Sequence, residues 1–213
     1  MGRRQLAFLF ASIAIGVLLG AVVQAVFLKK PKRAPETAAV SATVLATGTP
    51  ATVQMVGGVF QLVDQQGRQV TERDLQGRPR IIFFGFTACP DVCAPTLTAI
   101  SELLQALGPE ADKLTVLFVS VDPERDTPEQ LRQYLAGFDP RIRGLTGAPE
   151  MVAKVAQAHG AWFGKAPLAA GGYTIDHSPL VYLVDSKGAL VGVLNHDQVG
   201  VGALPRLREM LRS

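Results

Sequence analysis

The stretch RIIFFGFTACPDVCAPTLTAISELLQAL, residues 80–107, is the one from which the rest of the chain is read. Its first part, residues 81–86, is a short unbroken apolar run between Pro79 and a loop that holds two cysteines. That length and composition predict a buried central strand. From Cys93 onward, Leu97, Ile100, Leu103, Leu104 and Leu107 recur at the spacing of one helix face. A buried strand therefore feeds directly into an amphipathic helix, and both cysteines lie at the junction.

Outward from this unit the pattern alternates. GVFQLVDQQGRQVT, residues 58–71, reads as two short strands around a Gln-Gly turn. LTVLFVSVD, residues 114–122, is a second buried strand. DTPEQLRQYLAGF, residues 126–138, opens a helix with Thr127 as N-cap, Pro128 at the first helical position and Gln130 closing a capping box. A short strand follows, and then APEMVAKVAQAHG, residues 148–160, predicts a helix ending near Gly160. PLVYLVDSKGALVGVL, residues 179–194, reads as a hairpin, and VGALPRLREMLRS, residues 201–213, as a closing amphipathic helix. The fold class is α/β: a central sheet with parallel members, covered by helices on both faces. Ligands on such sheets collect at the carboxyl ends of the strands. Cys89 follows one such end, and SVDPERD, residues 120–126, follows another.

The charge is unevenly placed. Six of the 21 Lys/Arg fall in residues 1–33, where there is no acid, which leaves 15 basic against 18 acidic residues in the remainder. A mildly acidic domain lacks the electrostatic footprint of a nucleic-acid binder. The basic residues instead flank residues 5–28, an apolar run without a charge. Roughly 20 apolar residues cross a bilayer core as a helix, so 5–28 reads as a transmembrane anchor. A cleaved signal would have a shorter apolar region and a small-residue cleavage site, where this chain has LKKPKR. Residues 1–4 are then a cytoplasmic N-terminus, and 29–56, rich in Ala, Thr and Pro, a flexible tether. The folded domain is expected over 57–213. Both flanks of the anchor are basic, so charge alone does not orient it.

Cys89 and Cys93 are the only cysteines, separated by three residues. Free N–H groups and the dipole at a helix N-terminus favour a thiolate, which makes the sulfur a better nucleophile and a better metal ligand. If Cys93 lies in the first helical turn, the two side chains can face the same way. A purely structural disulfide here would close a very short loop and gain little. Zinc sites of four cysteines, or of three cysteines and a histidine, are excluded by the count. Of the three histidines, His159 ends a helix and His196 lies in a polar loop. His177 directly precedes a buried strand and is the candidate third ligand. Two thiolates and an imidazole form a soft set suited to copper(I). From the residues alone, the pair remains open between a disulfide, a redox couple and part of a metal site.

FGFTACPDVCAPTL (84–97), LFVSVDPERDTPEQL (117–131) and YTIDHSPLVYLVDSKG (173–188) together resemble the signature blocks of the Sco/SenC family. The likeness runs over roughly residues 57–210 and includes the N-terminal anchor. It implies a thioredoxin-like central sheet flanked by helices, with an N-terminal hairpin, preceded by one transmembrane helix. It also implies a membrane-tethered copper protein that helps assemble the binuclear copper centre of cytochrome c oxidase. Carried onto this chain, the metal ligands are Cys89, Cys93 and His177, and Asp122 lies near them as a supporting residue. Ala88 stands where the family often has His, and Ala94 where it often has Pro; neither removes a ligand. Ser178-Pro179 occupies the place where thioredoxin folds keep a cis-proline, which predicts a cis bond here. DPERDTP also reads as a plain turn and cap, with Asp122 orienting His177 or a partner's groups.

Two functions follow from this resemblance. One is a metallochaperone that delivers copper to the oxidase copper-site subunit and exchanges with other copper chaperones. The other is a thiol-disulfide oxidoreductase that uses the Cys89–Cys93 pair, alone or with thioredoxin-like reductants, in which a disulfide form is part of the cycle. Both place the domain on the periplasmic side of a single-pass inner-membrane anchor, where an oxidase copper site is reached and a disulfide persists.

Overall fold

The computed structural model describes residues 58–212. The expected anchor, residues 5–28, and all of the expected tether, residues 29–56, lie outside these. Among the described residues, no helix is long and apolar enough to cross a membrane.

Among the described residues, nine strands and four α-helices follow in chain order. The strands are β1 (Gln61–Asp64), β2 (Gln69–Thr71), β3 (Arg80–Gly85), β4 (Thr115–Ser120), β5 (Ile142–Thr146), β6 (Phe163–Pro167), β7 (Tyr173–His177), β8 (Leu180–Val184) and β9 (Leu190–Asn195). The helices are α1 (Cys93–Leu107), α2 (Pro128–Leu135), α3 (Pro149–Ala158) and α4 (Leu204–Met210). Seven strands form one sheet in the order β2-β1-β5-β4-β3-β8-β9. β3, β4 and β5 run parallel, joined by crossovers that contain α1 and α2, while β1 and β8 pair antiparallel at either side. The expected N-terminal hairpin is β1–β2.

The unbroken apolar run of β3 has a direct cause. Successive side chains of a strand point to opposite faces, and both faces of this sheet are covered. Ile81 and Phe83 pack with Leu97, Ile100 and Leu104 of α1 on one face. Ile82 and Phe84 pack with Val155 of α3 and Tyr182 of β8 on the other. A half-exposed strand would alternate with polar residues instead.

Three expectations change. Residues 163–177 hold a separate two-stranded ribbon, β6–β7, where the sequence was read without a hairpin. His177 is therefore the last residue of a strand and not part of a loop. The Ser178-Pro179 bond is trans, as no peptide bond among the described residues is cis. At α2, the Thr127 hydroxyl accepts the Gln130 N–H, but the Thr127 N–H donates to the Arg125 carbonyl. The reciprocal half of the expected capping box is thus replaced by a local turn.

Candidate metal centre

Gly85 at the end of β3 pairs with Ser120 at the end of β4. The cysteine loop and the DPERD loop therefore leave the sheet side by side. After β3, residues 86–88 lead to Cys89, and α1 begins at Cys93. Val92, the N-cap, offers no side-chain cap, and the first turn of α1 carries no acidic residue. The free N–H groups and the positive end of the helix are left to stabilise an anion.

Cys89 is half-buried and Cys93 fully buried, both as free thiols. A hydrogen bond from Cys93 is the main cause that brings the Cys89 thiol down to about 3, with His177 and the N–H groups of Asp91 and Cys93 adding to it against the effect of burial. The same bond, then burial, pushes the Cys93 thiol up. The pair thus holds a single negative charge, with Cys89 as thiolate and Cys93 as the donor.

His177 Nε2 stands 3.6 Å from Cys93 Sγ and 3.9 Å from Cys89 Sγ. Its Nδ1 lies 3.2 Å from the Ser178 carbonyl oxygen. A carbonyl only accepts, so Nδ1 is the donor there, and Nε2 is the ring nitrogen that faces the sulfurs. The imidazole is backed by aromatic rings, with Phe86 at 5.8 Å and Phe83 at 6.3 Å between centroids. The two sulfurs and a ring nitrogen lie within 4.8 Å of one another, and this is the potential metal-holding group among the described residues. Two sulfurs and one imidazole nitrogen facing a common point fit a soft ion such as copper(I). Binding would release the Cys93 proton, because the ligand is the thiolate.

The structure brings together Cys89, Cys93 and His177 but sets Asp122 one remove away. Asp122 is buried. Its carboxylate accepts from the Tyr173 hydroxyl at 2.8 Å and from the Arg125 side chain, and its N–H donates to Ser120 Oγ. Neither carboxylate oxygen bonds His177. Burial and the Asp122 hydrogen bond push the Tyr173 phenol up to about 12, so it stays a neutral donor. His159 is remote in character as well as place: its Nδ1 donates to the Val155 carbonyl at 2.7 Å and its ring packs on Phe84. His196 begins a 3-10 turn.

Two further residues shape the centre without having been singled out. Asp126 is fully buried and accepts from the Thr87 N–H (3.0 Å), the Thr87 hydroxyl (2.6 Å) and the Ser120 hydroxyl (2.6 Å). It ties the start of the cysteine loop to the end of β4. Its signal in the sequence is only that of the second aspartate of DPERD. Gly85 leaves the space that Cys93 Sγ fills, since a Cβ there would stand 2.7 Å from that sulfur.

Comparison with known proteins fits this arrangement. Residues 48–212 match the SCO1/SenC family. The chain is 32% identical over 206 residues to the mitochondrial protein SCO2 of Saccharomyces cerevisiae, covering 95% of this chain and 66% of that one. Among solved structures, Bradyrhizobium japonicum ScoI with copper bound is 46% identical at a TM-score of 0.68, covering 73% of this chain and 99% of that one. Yeast Sco1 with copper bound is 34% identical, also at a TM-score of 0.68, covering 74% of this chain and 89% of that one. The chain spans only 43% of the length of the Arabidopsis thaliana mitochondrial SCO1 homologue, to which it is 37% identical.

Proposed function

Because this chain belongs to the SCO1/SenC family, we propose that it is a membrane-anchored copper carrier serving assembly of the binuclear copper site of cytochrome c oxidase. Cys89, Cys93 and His177 are its copper ligands. The observation that carries this reading is the convergence of two sulfurs and an imidazole nitrogen within 4.8 Å. Relatives solved with copper bound support it.

In this reading the cargo is copper(I), exchanged with other copper chaperones and passed to the oxidase copper-site subunit. Cys89 and His177 are only partly buried and line an open groove with Pro90, Trp162 and Pro179. An incoming ligand from a partner can therefore reach the site without unfolding it. The apolar run 5–28 anchors the domain, and the domain faces the periplasm. Asp122 supports the site through its neighbours and is not itself a ligand.

The test is copper(I) titration of the reduced full chain in detergent, alongside His177→Ala and Cys93→Ser. Loss of a ligand should weaken binding by more than about 10-fold, the least expected from loss of its support alone. Unchanged affinity in His177→Ala would overturn the three-ligand site.

The asymmetry of the two thiols supports a second reading. A partly exposed thiolate beside a buried thiol is also the arrangement of an attacking and a resolving cysteine. As a thiol-disulfide oxidoreductase, the Cys89 thiolate would attack a target disulfide and Cys93 would resolve the mixed disulfide, so that the pair gives two electrons and the single Cys93 proton, the target leaves as one thiol and one thiolate, and the Cys89–Cys93 disulfide remains. A His177→Ala protein that keeps full dithiol reductase activity, in cells that still assemble oxidase, would favour this reading over copper delivery.

A further inference from the structure

The ribbon β6–β7 carries His177, yet no backbone ladder joins it to the seven-stranded sheet. Beyond the short chain link from His177 to β8, side chains set its place. Ile175 is buried in the core beneath it, and Phe163 and Tyr173 are partly buried beside it. At the His177 end, the Ser178 N–H donates to the Trp162 carbonyl and the Trp162 N–H to Ser178 Oγ. These bonds tie the two strands to each other and not to the cysteine loop.

At the His177 end the chain itself runs through Ser178-Pro179 into β8; a further tie to the rest of the molecule is at the other end. Arg125 Nη1 donates to the Tyr173 carbonyl at 3.0 Å, and the guanidinium lies 4.1 Å from the centroid of the Tyr173 ring. Its Nε pairs with the buried Asp122 carboxylate, which also accepts the Tyr173 hydroxyl. Lys165 of β6 adds a second cation 4.4 Å from the same ring and pairs with Glu124 at 2.6 Å. The guanidinium is also 5.8 Å from the Phe86 ring, which in turn backs His177. One planar cation thus touches the DPERD loop, the ribbon and the aromatic ring behind the imidazole.

We propose that Asp122, Arg125 and Tyr173 form a clamp that fixes how far His177 stands from the two cysteines, with Arg125 as the positioning residue. The inference rests on the copper-carrier reading and gives Asp122 its role there: it holds the arginine that holds the ribbon. Arg125 is 37% exposed and fills no core volume. Its loss should release the ribbon and leave the sheet folded. A closed clamp presets the imidazole for binding, and an open one lets His177 withdraw from the sulfurs.

The test is Arg125→Gln in the full chain, alone and with His177→Ala. Copper affinity should fall about 10- to 100-fold, the usual effect of removing support behind a metal ligand. Amides of residues 163–177 should exchange faster, while those of β3 and β4 keep their rates. In the His177→Ala background the same change should cost nothing further, because its effect passes through the imidazole. Arg125→Lys should not restore affinity, since an ammonium cannot stack on Tyr173 and bond Asp122 and a carbonyl together. Ribbon exchange at the wild-type rate in Arg125→Gln overturns the clamp, and so does an equal loss of affinity in both backgrounds. A His177→Ala protein that binds copper as the wild type does sinks the ligand set instead, and ribbon exchange then decides the clamp.

Discussion

A missing methyl group at the end of β3 makes room for the buried sulfur. A Cβ on Gly85 would stand 2.7 Å from Cys93 Sγ and 2.7 Å from Phe118 Cε2. Neither neighbour has an easy retreat. Phe118 is fully buried, and Cys93 starts a helix whose inner face is packed through Leu107. Gly85→Ala must therefore push the sulfur outward, shift α1, or both. Overpacking of this kind costs about 1–3 kcal/mol. Urea unfolding of the reduced apoprotein should show that loss, and copper affinity should fall with it because one ligand has moved. Stability and affinity both at wild-type values would show that α1 accommodates the methyl group freely.

Helix α2 depends on how it begins. Thr127 is extended at φ −66°, ψ 163°, and its hydroxyl accepts the Gln130 N–H; Pro128 follows with φ already set for a helix. Thr127→Ala removes that acceptor and should cost about 1 kcal/mol. For a domain of this size that is a fall of roughly 2–4 °C in melting temperature, with copper binding nearly unaffected because the cap bond is made within α2, to Gln130. At this scale the sequence is informative where burial imposes a period. β3, β4, α1 and the β8–β9 hairpin stand within a residue or two of where apolar spacing puts them. The β6–β7 ribbon was not legible in that way, because only Ile175 of its ten strand residues is buried. Its one local signal is Gly171-Gly172, both at positive φ, between the strands. The same gap hid the route from Asp122 to His177. The cysteines and histidine were nameable from spacing and resemblance, but the arginine linking ribbon to loop becomes visible only once the ribbon exists.

Two buried ionisable groups, one in a strand and one at a helix end, tie the stability of the whole domain to pH. His159, at the end of α3, is buried against Phe84 and Tyr182, with its Nε2 unpartnered. Burial, aided by the positive charge of Arg80 and opposed by the bond to Val155, holds it below the ordinary 6.5. Asp64, in β1, is fully buried. Burial alone would raise its carboxyl, but the N–H groups of Arg68 and Gln66 and the Arg143 and Arg68 guanidinium groups outweigh that and hold it below 3.8. Both values are depressed in the folded state, so as pH falls the unfolded chain takes up each proton first. Stability is therefore complete above the unfolded values and is lost in two stages. The first begins as pH drops below about 6.5 at His159, and the second below about 3.8 at Asp64. Unfolding free energies of the reduced apoprotein, measured in urea across this range, should show both declines. His159→Phe keeps an aromatic ring in the pocket without a proton site. It should flatten the first decline and leave the second. Trp162 is the only tryptophan and stands at the base of the ribbon. If residues 58–212 unfold as one cooperative unit, its fluorescence and the far-ultraviolet dichroism of the sheet should give the same midpoint at every pH. An earlier fluorescence midpoint would mean that the ribbon leaves the sheet first, and a persistent first decline in His159→Phe would place the acid sensitivity outside the buried imidazole.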